Sequence, residues 1–124
     1  MTKTLTKDPV VWTEIPVTNL EASAKFYAEI LDAELTLMEM GPNKSMIFSH
    51  EVNSVAGHLY EGKPAPAGTG NTIHFKSSVS PQEGMKKVVA AGGKVVSEAV
   101  EIPSGKFFYC TDLDGNSIGL FTVS

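Results

Sequence analysis

The sequence predicts an α+β domain that spans residues 1–124 and consists of two consecutive βαβββ modules. Two runs with a helical spacing of apolar residues each follow one strand-like run and precede three more. A segment rich in proline and glycine, residues 62–71, connects the two halves. The predicted modules therefore cover about residues 8–61 and 72–123, and such a repeat indicates a shared core built on β-sheet.

The first module is predicted to contain a capped amphipathic helix. Thr18 and Asn19 both suit a helix N-cap, and Glu21, three residues after Thr18, completes the pattern of a capping box. Pro16 lacks a backbone N–H, so its strand is expected at a sheet edge. Residues 41–43, Gly-Pro-Asn, are predicted to form a turn. The predicted strand, helix and three strands occupy residues 10–17, 20–32, 34–40, 44–49 and 54–61.

The second module repeats this plan. Ser80 is the predicted N-cap of its helix, with Pro81 at the first helical position and Glu83 three residues after the cap. The pair Gly92 and Gly93 is typical of a helix end. The predicted strand, helix and three strands occupy residues 72–77, 81–91, 94–102, 106–111 and 117–123.

The last two strands form a predicted hairpin around a strong turn signal. Asp112, Asp114, Gly115 and Asn116 lie between two apolar runs, as a short hairpin loop requires. Both faces of this hairpin are largely apolar, so one face is expected against helices and the other against a core or a pocket. Cys110 falls on the helix side, where we expect a small core residue rather than a nucleophile.

Composition and charge exclude several functional classes. Ten basic and 14 acidic residues give a net charge of −4 without a basic cluster, which argues against a nucleic-acid partner. No apolar run approaches the roughly 18 to 20 residues that span a bilayer, so no membrane partner is expected. The N-terminus lacks the apolar run of a secretory signal and the single cysteine cannot form an internal disulfide, so we expect a cytoplasmic protein.

Three stretches resemble the vicinal oxygen chelate superfamily, which includes glyoxalase I, bleomycin-resistance proteins, fosfomycin-resistance enzymes and extradiol dioxygenases. They are EIPVTNLEASAKFYAEIL in the first module, and AAGGKVV and FFYCTDLDGNSIGLF in the second. The resemblance implies that the paired modules form a curved mixed sheet around a ligand cavity, with helices on the outer face. A dimer partner often completes such a cavity, so a homodimer is expected.

The resemblance also implies where metal ligands would lie, and this chain departs from that pattern. Metal-dependent relatives use the first and last strand of each module. The matching positions here are Trp12, His58, Thr72 and Gly119. Only His58 is a plausible ligand, whereas such sites need about three protein ligands. We therefore expect no cofactor and a metal-independent protein.

A set of mostly aromatic residues is predicted to face the cavity. Because successive side chains of a strand point to opposite faces of the sheet, every second residue of a cavity-lining strand lies on the same face. Such a set suits a small, partly apolar organic ligand, and the competing interpretation is that the rings fill a closed core. The candidate ligand-binding residues are Trp12, His58, Tyr60, Thr72, His74, Phe107, Tyr109 and Phe121.

Glu14 is the candidate catalytic residue. A carboxylate on a face shared with Val10 and Trp12 would be desolvated, which favours its neutral form and suits a general acid or base. The competing interpretation is a salt-bridged or rim-exposed glutamate. A displaced divalent-metal site made by Glu14, His58 and His74 is a further alternative, and it would correspond to a metal-dependent lyase or dioxygenase. The sequence leaves open whether the protein is an enzyme or a sequestering binder.

Overall fold

The computed structural model describes residues 5–40 and 43–124, and it confirms the α+β class and the repeated order of elements. The predicted turn at residues 41–43 lies largely outside the described residues. No helix in the described ranges is long and apolar enough to cross a membrane. The first module contains β1 (Trp12–Val17), α1 (Leu20–Leu31), β2 (Leu35–Met40), β3 (Asn43–Phe48) and β4 (Ala56–Glu61). The second contains β5 (Ile73–Lys76), α2 (Pro81–Ala90), β6 (Lys94–Val95), β7 (Val100–Ile102), β8 (Gly105–Thr111) and β9 (Ser117–Val123).

Hydrogen bonding divides the strands into two mixed sheets, one in each module. The strand order is β1-β4-β3-β2 in the first sheet and β5-β9-β8-β6 in the second, with β7 also paired to β8. The first strand of each module pairs in parallel with the last, so Glu14 lies opposite His58 and His74 lies opposite Gly119. Because β1 pairs only with β4, Pro16 is on an edge strand, as predicted.

One hydrophobic core connects both modules. Ile15 and Val17 of β1, Tyr27 of α1, and Phe108 and Cys110 of β8 belong to the same buried cluster. Alternate residues of these strands are less buried and lie on the opposite side, which we call the helix-free face of each sheet. The predicted strand parity is therefore confirmed, and the helix-free faces carry the candidate site residues.

Two local predictions need correction. Of the two N-cap candidates of α1, the structure confirms Asn19, whose side chain accepts a hydrogen bond from the Ala22 amide at 3.0 Å. The capping box predicted from Thr18 and Glu21 was wrong, because the Thr18 side chain contacts Asp114 instead. The single strand predicted at residues 94–102 is divided into β6 and β7. The Val96 amide still donates to the Tyr109 carbonyl at 2.9 Å, but residues 97–99 bulge out of the ladder, and the Ser97 hydroxyl accepts from the Tyr109 amide at 2.8 Å in place of a backbone carbonyl.

The buried carboxylate of Asp112 joins the two modules. Asp112 is 4% exposed and accepts a 2.6 Å hydrogen bond from the Tyr27 hydroxyl on α1. It also accepts from the Asn116 side chain and from the Asp114 and Asn116 amides, each at 2.9 Å. Asn116 in turn donates to the Pro16 carbonyl at the end of β1, also at 2.9 Å. The hairpin turn of the second module is therefore fastened to the first module.

Burial keeps the neighbouring hydroxyl and thiol protonated. Burial, together with the Asp112 carboxylate, raises the pKa of Tyr27 well above its ordinary value, so the hydroxyl remains a donor. The same two causes raise the pKa of the Cys110 thiol to about 12. Cys110 is fully buried, which confirms its prediction as a core residue, and it carries almost no reactive thiolate at neutral pH.

We expect Asp112→Asn to lower the free energy of unfolding by about 1.5 to 3 kcal/mol, because it replaces a charged acceptor inside a buried hydrogen-bond network. Urea unfolding monitored by circular dichroism measures this change. Thr18→Val is the matched control, since it removes only an exposed hydrogen bond to Asp114 and should cost less than about 1 kcal/mol. Equal losses for the two variants would contradict a central role for Asp112.

Candidate functional site

The helix-free face of the first sheet brings three candidate residues together. Strand register places Glu14 on β1 directly beside His58 on β4, and the His58 ring lies 6.2 Å from that of Tyr60, centroid to centroid. These residues are close because β1 and β4 are parallel neighbours, although 44 positions separate Glu14 from His58 in the sequence. The structure thus confirms their common face, and their functional roles stay predictions.

Trp12, His58 and Glu14 form a chain of polar contacts. The indole Nε1–H of Trp12 donates to His58 Nδ1 at 2.9 Å, and His58 Nε2 lies 3.4 Å from Glu14 Oε2. Since an indole can only donate, His58 Nδ1 must accept, and the neutral ring carries its proton on Nε2. The Nε2–Oε2 distance of 3.4 Å is a close contact between neighbouring polar groups and not a recorded hydrogen bond. His58 is therefore hydrogen-bonded through Nδ1 and lies beside Glu14 through Nε2.

The expected desolvation of Glu14 was wrong for the single chain. Its side chain is 66% exposed, whereas that of His58 is 17% exposed. Glu14 lies on the edge strand β1 and is among its exposed residues. A carboxylate at this position is hydrated and avoids the desolvation cost of a buried group.

Glu14 and His58 line a concave pocket of about 880 Å³, which we call the first pocket. Sequence analysis missed its contributions from β3, namely Lys44 and Ser45. No sequence motif marks these residues as part of a site, because the pairing of Ser45 with Tyr60 depends on the register between β3 and β4. The first pocket is lined by Glu14, Leu20, Asn43, Lys44, Ser45, His58, Tyr60 and Glu61.

The helix-free face of the second sheet carries a separate aromatic cluster. The His74 ring contacts Phe107 and Tyr109 edge-on, with centroid distances of 5.4 and 5.5 Å, and Phe107 stacks on Phe121 at 6.1 Å. The His74 ring lies over Gly119, where any Cβ would overlap the imidazole. A glycine at this position therefore permits the packing of His74, just as it removes a metal ligand from the family pattern.

A second pocket, of about 730 Å³, lies at the junction of the modules. Trp12, Thr72 and His74 contribute to it, and the Thr72 hydroxyl is 2.6 Å from that of Ser117. His50 also lines this pocket and contacts the Trp12 ring edge-on at 5.8 Å between centroids.

The predicted set of site residues therefore occupies three places rather than one cavity. Glu14, His58 and Tyr60 line the first pocket, Trp12, Thr72 and His74 line the second, and Phe107, Tyr109 and Phe121 form the aromatic cluster with His74. Within the described ranges, no three His, Cys, Asp or Glu side chains lie close enough to hold a metal ion. The residues present do not fit the metal site of metal-dependent relatives.

Comparison with known proteins places this arrangement in a family. The model of the Glyoxalase/Bleomycin resistance protein/Dioxygenase superfamily matches residues 10–120, which include both modules. The chain belongs to this superfamily. A search of curated proteins finds no matching sequence.

Solved structures of the superfamily share the fold at low sequence identity. A glyoxalase/bleomycin resistance protein from Albidiferax ferrireducens is 21% identical with a TM-score of 0.69, covering 93% of this chain and 98% of that one. The fosfomycin resistance protein FosX from Listeria monocytogenes is 18% identical with a TM-score of 0.70, covering 97% and 94%. TnmS3, an antibiotic binding protein from a Streptomyces species, is 19% identical with a TM-score of 0.66, covering 98% and 100%.

Proposed function

We propose that this superfamily member binds a small organic molecule in the first pocket without a metal ion, and that Glu14 acts there as an acid/base residue. The observation that supports this most directly is the contact chain from Trp12 through His58 to Glu14. It places the Glu14 carboxylate beside the His58 ring among the lining residues of the first pocket. A carboxylate in this position can accept a proton from a bound molecule and return it.

The pocket offers groups suited to a polar organic molecule. Its volume of about 880 Å³ lies within the range of small-molecule sites. The Lys44 ammonium and the Tyr60 hydroxyl provide hydrogen-bond donors, and the Tyr60 ring provides an apolar surface. The solved structures of similar fold include a fosfomycin resistance protein and an antibiotic binding protein, which is consistent with a small-molecule ligand.

A sequestering binder is the second candidate, and the exposure of Glu14 favours it. A general base gains from a water-poor environment, yet the Glu14 side chain is 66% exposed in one chain. In a binder, the carboxylate would accept a hydrogen bond or pair with a positive charge on the ligand. The substitution described next distinguishes the two candidates.

If Glu14 is the acid/base residue, we expect Glu14→Gln to reduce turnover by about 10² to 10⁴ and to leave ligand affinity within about fivefold. Steady-state kinetics and calorimetric titration with the same substrate measure both quantities. Glu61→Gln is the matched control, since Glu61 also lines the first pocket, and it should retain turnover. Unchanged turnover in Glu14→Gln would remove Glu14 from the mechanism, and a selective loss of affinity would support the binder.

The proposal of a metal-independent site rests on the side chains at the family's ligand positions. Trp12 and Gly119 offer no metal-binding atom in their side chains, and His74 lies in the aromatic cluster of the other module, away from Glu14 and His58. A divalent ion would therefore lack the usual number of protein ligands.

We expect elemental analysis of protein purified without added metal to find far less than one ion per chain. Incubation with zinc, nickel, manganese or iron(II), followed by desalting, should leave this content unchanged. Near-stoichiometric metal that disappears in His58→Ala would refute the proposal and restore the metal-dependent lyase or dioxygenase.

We also propose that the protein is a homodimer. Each helix-free face leaves aromatic side chains partly exposed, and Val11, which precedes β1 and lies outside the lining of the second pocket, is 69% exposed. A second copy that covered these surfaces would remove apolar area from water and close the open side of the first pocket.

We expect sedimentation equilibrium at micromolar concentrations to give about twice the mass of one chain. Val11→Glu would place a charge within the covered surface and should shift the protein towards monomer. A wild-type protein that remains monomeric over this range would contradict the proposal.

A further inference from the structure

The second pocket is a crevice between the two modules, on a different part of the molecule from the first pocket. Its walls come from the start of β1, the C-terminal end of α1, the end of β3 and the following loop at residues 49–55, and all of β5. The first pocket shares none of its lining residues with this crevice. The two are therefore separate candidate sites.

The crevice exists because two equivalent loops differ in their contacts: one is hydrogen-bonded to the other module, and the corresponding loop is not. The strands β4 and β9 occupy equivalent places in the two modules, because each pairs in parallel with the first strand of its module, with Glu14 opposite His58 and His74 opposite Gly119. The loop before β4, residues 49–55, therefore corresponds to the β8–β9 turn. The β8–β9 turn bonds to Tyr27, Thr18 and Pro16 of the other module.

The corresponding loop of the first module makes no such connection. Its side-chain hydrogen bonds are local, since His50 Nδ1 contacts the Glu51 carbonyl at 3.0 Å and the Ser54 hydroxyl at 3.1 Å. None of its side-chain hydrogen bonds in the described ranges reaches the second module. The junction consequently stays open beside this loop.

The charge of the crevice is opposite to that of the protein. The chain has 14 acidic and 10 basic residues, yet among residues 5–40 and 43–124 no aspartate or glutamate lines the second pocket. Its ionisable residues are Lys76, His50 and His74. By contrast, Glu14 and Glu61 line the first pocket. An anion would meet no carboxylate repulsion in the crevice and would lie near one permanent positive charge and two imidazoles.

The remaining surface is suited to an aromatic ring. The floor is formed by the partly buried side chains of Leu31, Ile73 and Phe75, which pack against the core, and the Trp12 ring forms part of a wall. Ser49, Asn71 and Thr72 add neutral hydrogen-bonding groups. The volume of about 730 Å³ is ample for a single substituted ring.

We propose that the second pocket binds a small aromatic carboxylate across the edge strand β5, with its ring on the apolar floor and its carboxylate toward the basic lining residues Lys76, His50 and His74. His74 and Lys76 alternate with Ile73 and Phe75 along β5, so the carboxylate and the ring lie on either side of the strand edge. This inference does not depend on the function proposed for the first pocket. It rests on the absence of acidic residues from the described lining, the apolar floor and the difference in contacts between the two equivalent loops.

Three probes of similar shape and different charge test the charge preference. Benzoate, benzamide and benzamidine carry charges of −1, 0 and +1 on the same ring, and Trp12 is the only tryptophan, so its fluorescence reports binding. We expect benzoate to bind at least about fivefold more tightly than benzamide, with benzamidine the weakest. Equal affinities for the three probes, or the reverse order, would overturn the proposal.

The three histidines identify which pocket is occupied. His50 and His74 line the second pocket and His58 lines the first, so carbon–proton spectra of the imidazole rings resolve the two sites. We expect benzoate to shift the His50 and His74 signals most. A dominant shift of His58 would place benzoate in the first pocket and refute the assignment.

Charge removal at matched lysines completes the test. Lys76→Gln should weaken benzoate binding by about threefold to fivefold and leave benzamide binding unchanged, because only the anion interacts with the ammonium charge. Lys44→Gln makes the same chemical change at the first pocket and should alter neither. Equal weakening by the two variants would show that benzoate responds to overall charge and would overturn the proposal.

Discussion

The relative position of the two modules depends on the hydrogen bonds of the buried Asp112 carboxylate. A buried anion is stable only when its oxygens are satisfied, and here donors come from its own turn and from Tyr27 of the other module. The requirement therefore constrains both the conformation of the turn and its position against α1. Through Asn116 and Asp114, the same turn also holds the end of β1 and the residue before the α1 cap. The strand that carries Trp12 and Glu14 is thus positioned partly by residues about 100 positions later in the chain.

Equivalent positions in the two modules carry different chemistry. The pair formed by the first and last strands is Glu14 with His58 in one module and His74 with Gly119 in the other. In the first module two polar side chains lie side by side, with 3.4 Å between His58 Nε2 and Glu14 Oε2. In the second module the missing side chain gives the His74 ring room to pack among Phe107 and Tyr109. The repeated backbone therefore presents one polar, acidic face and one aromatic face.

Much of the fold follows from local patterns that the sequence shows directly. The helices, the order of elements along the chain and the face on which each candidate residue lies were predicted, because periodicity, Ser80 capping and the β8–β9 turn all act over a few residues. The errors arose where a distant contact prevailed over a local pattern. Thr18 contacts Asp114 instead of capping α1, and the Ser97 side chain interrupts a strand whose composition is otherwise regular.

The site was predicted less completely. Strand parity determines on which face of a sheet a side chain lies, but it does not determine which side chains of other strands lie next to it. The sequence by itself determined that Glu14, His58, His74 and the aromatic residues lie on the helix-free faces, and the family resemblance predicted Trp12 and Gly119 at positions where metal-dependent relatives have ligands. Only the tertiary structure decided that His58 lies between Trp12 and Glu14, and that the second module's rings form a cluster of their own. It also decided that a crevice without acidic lining residues remains between the modules. The physical reason is that these features arise from the packing of whole modules, and the side chains that control this packing, Tyr27 and Asp112, are 85 positions apart in the chain.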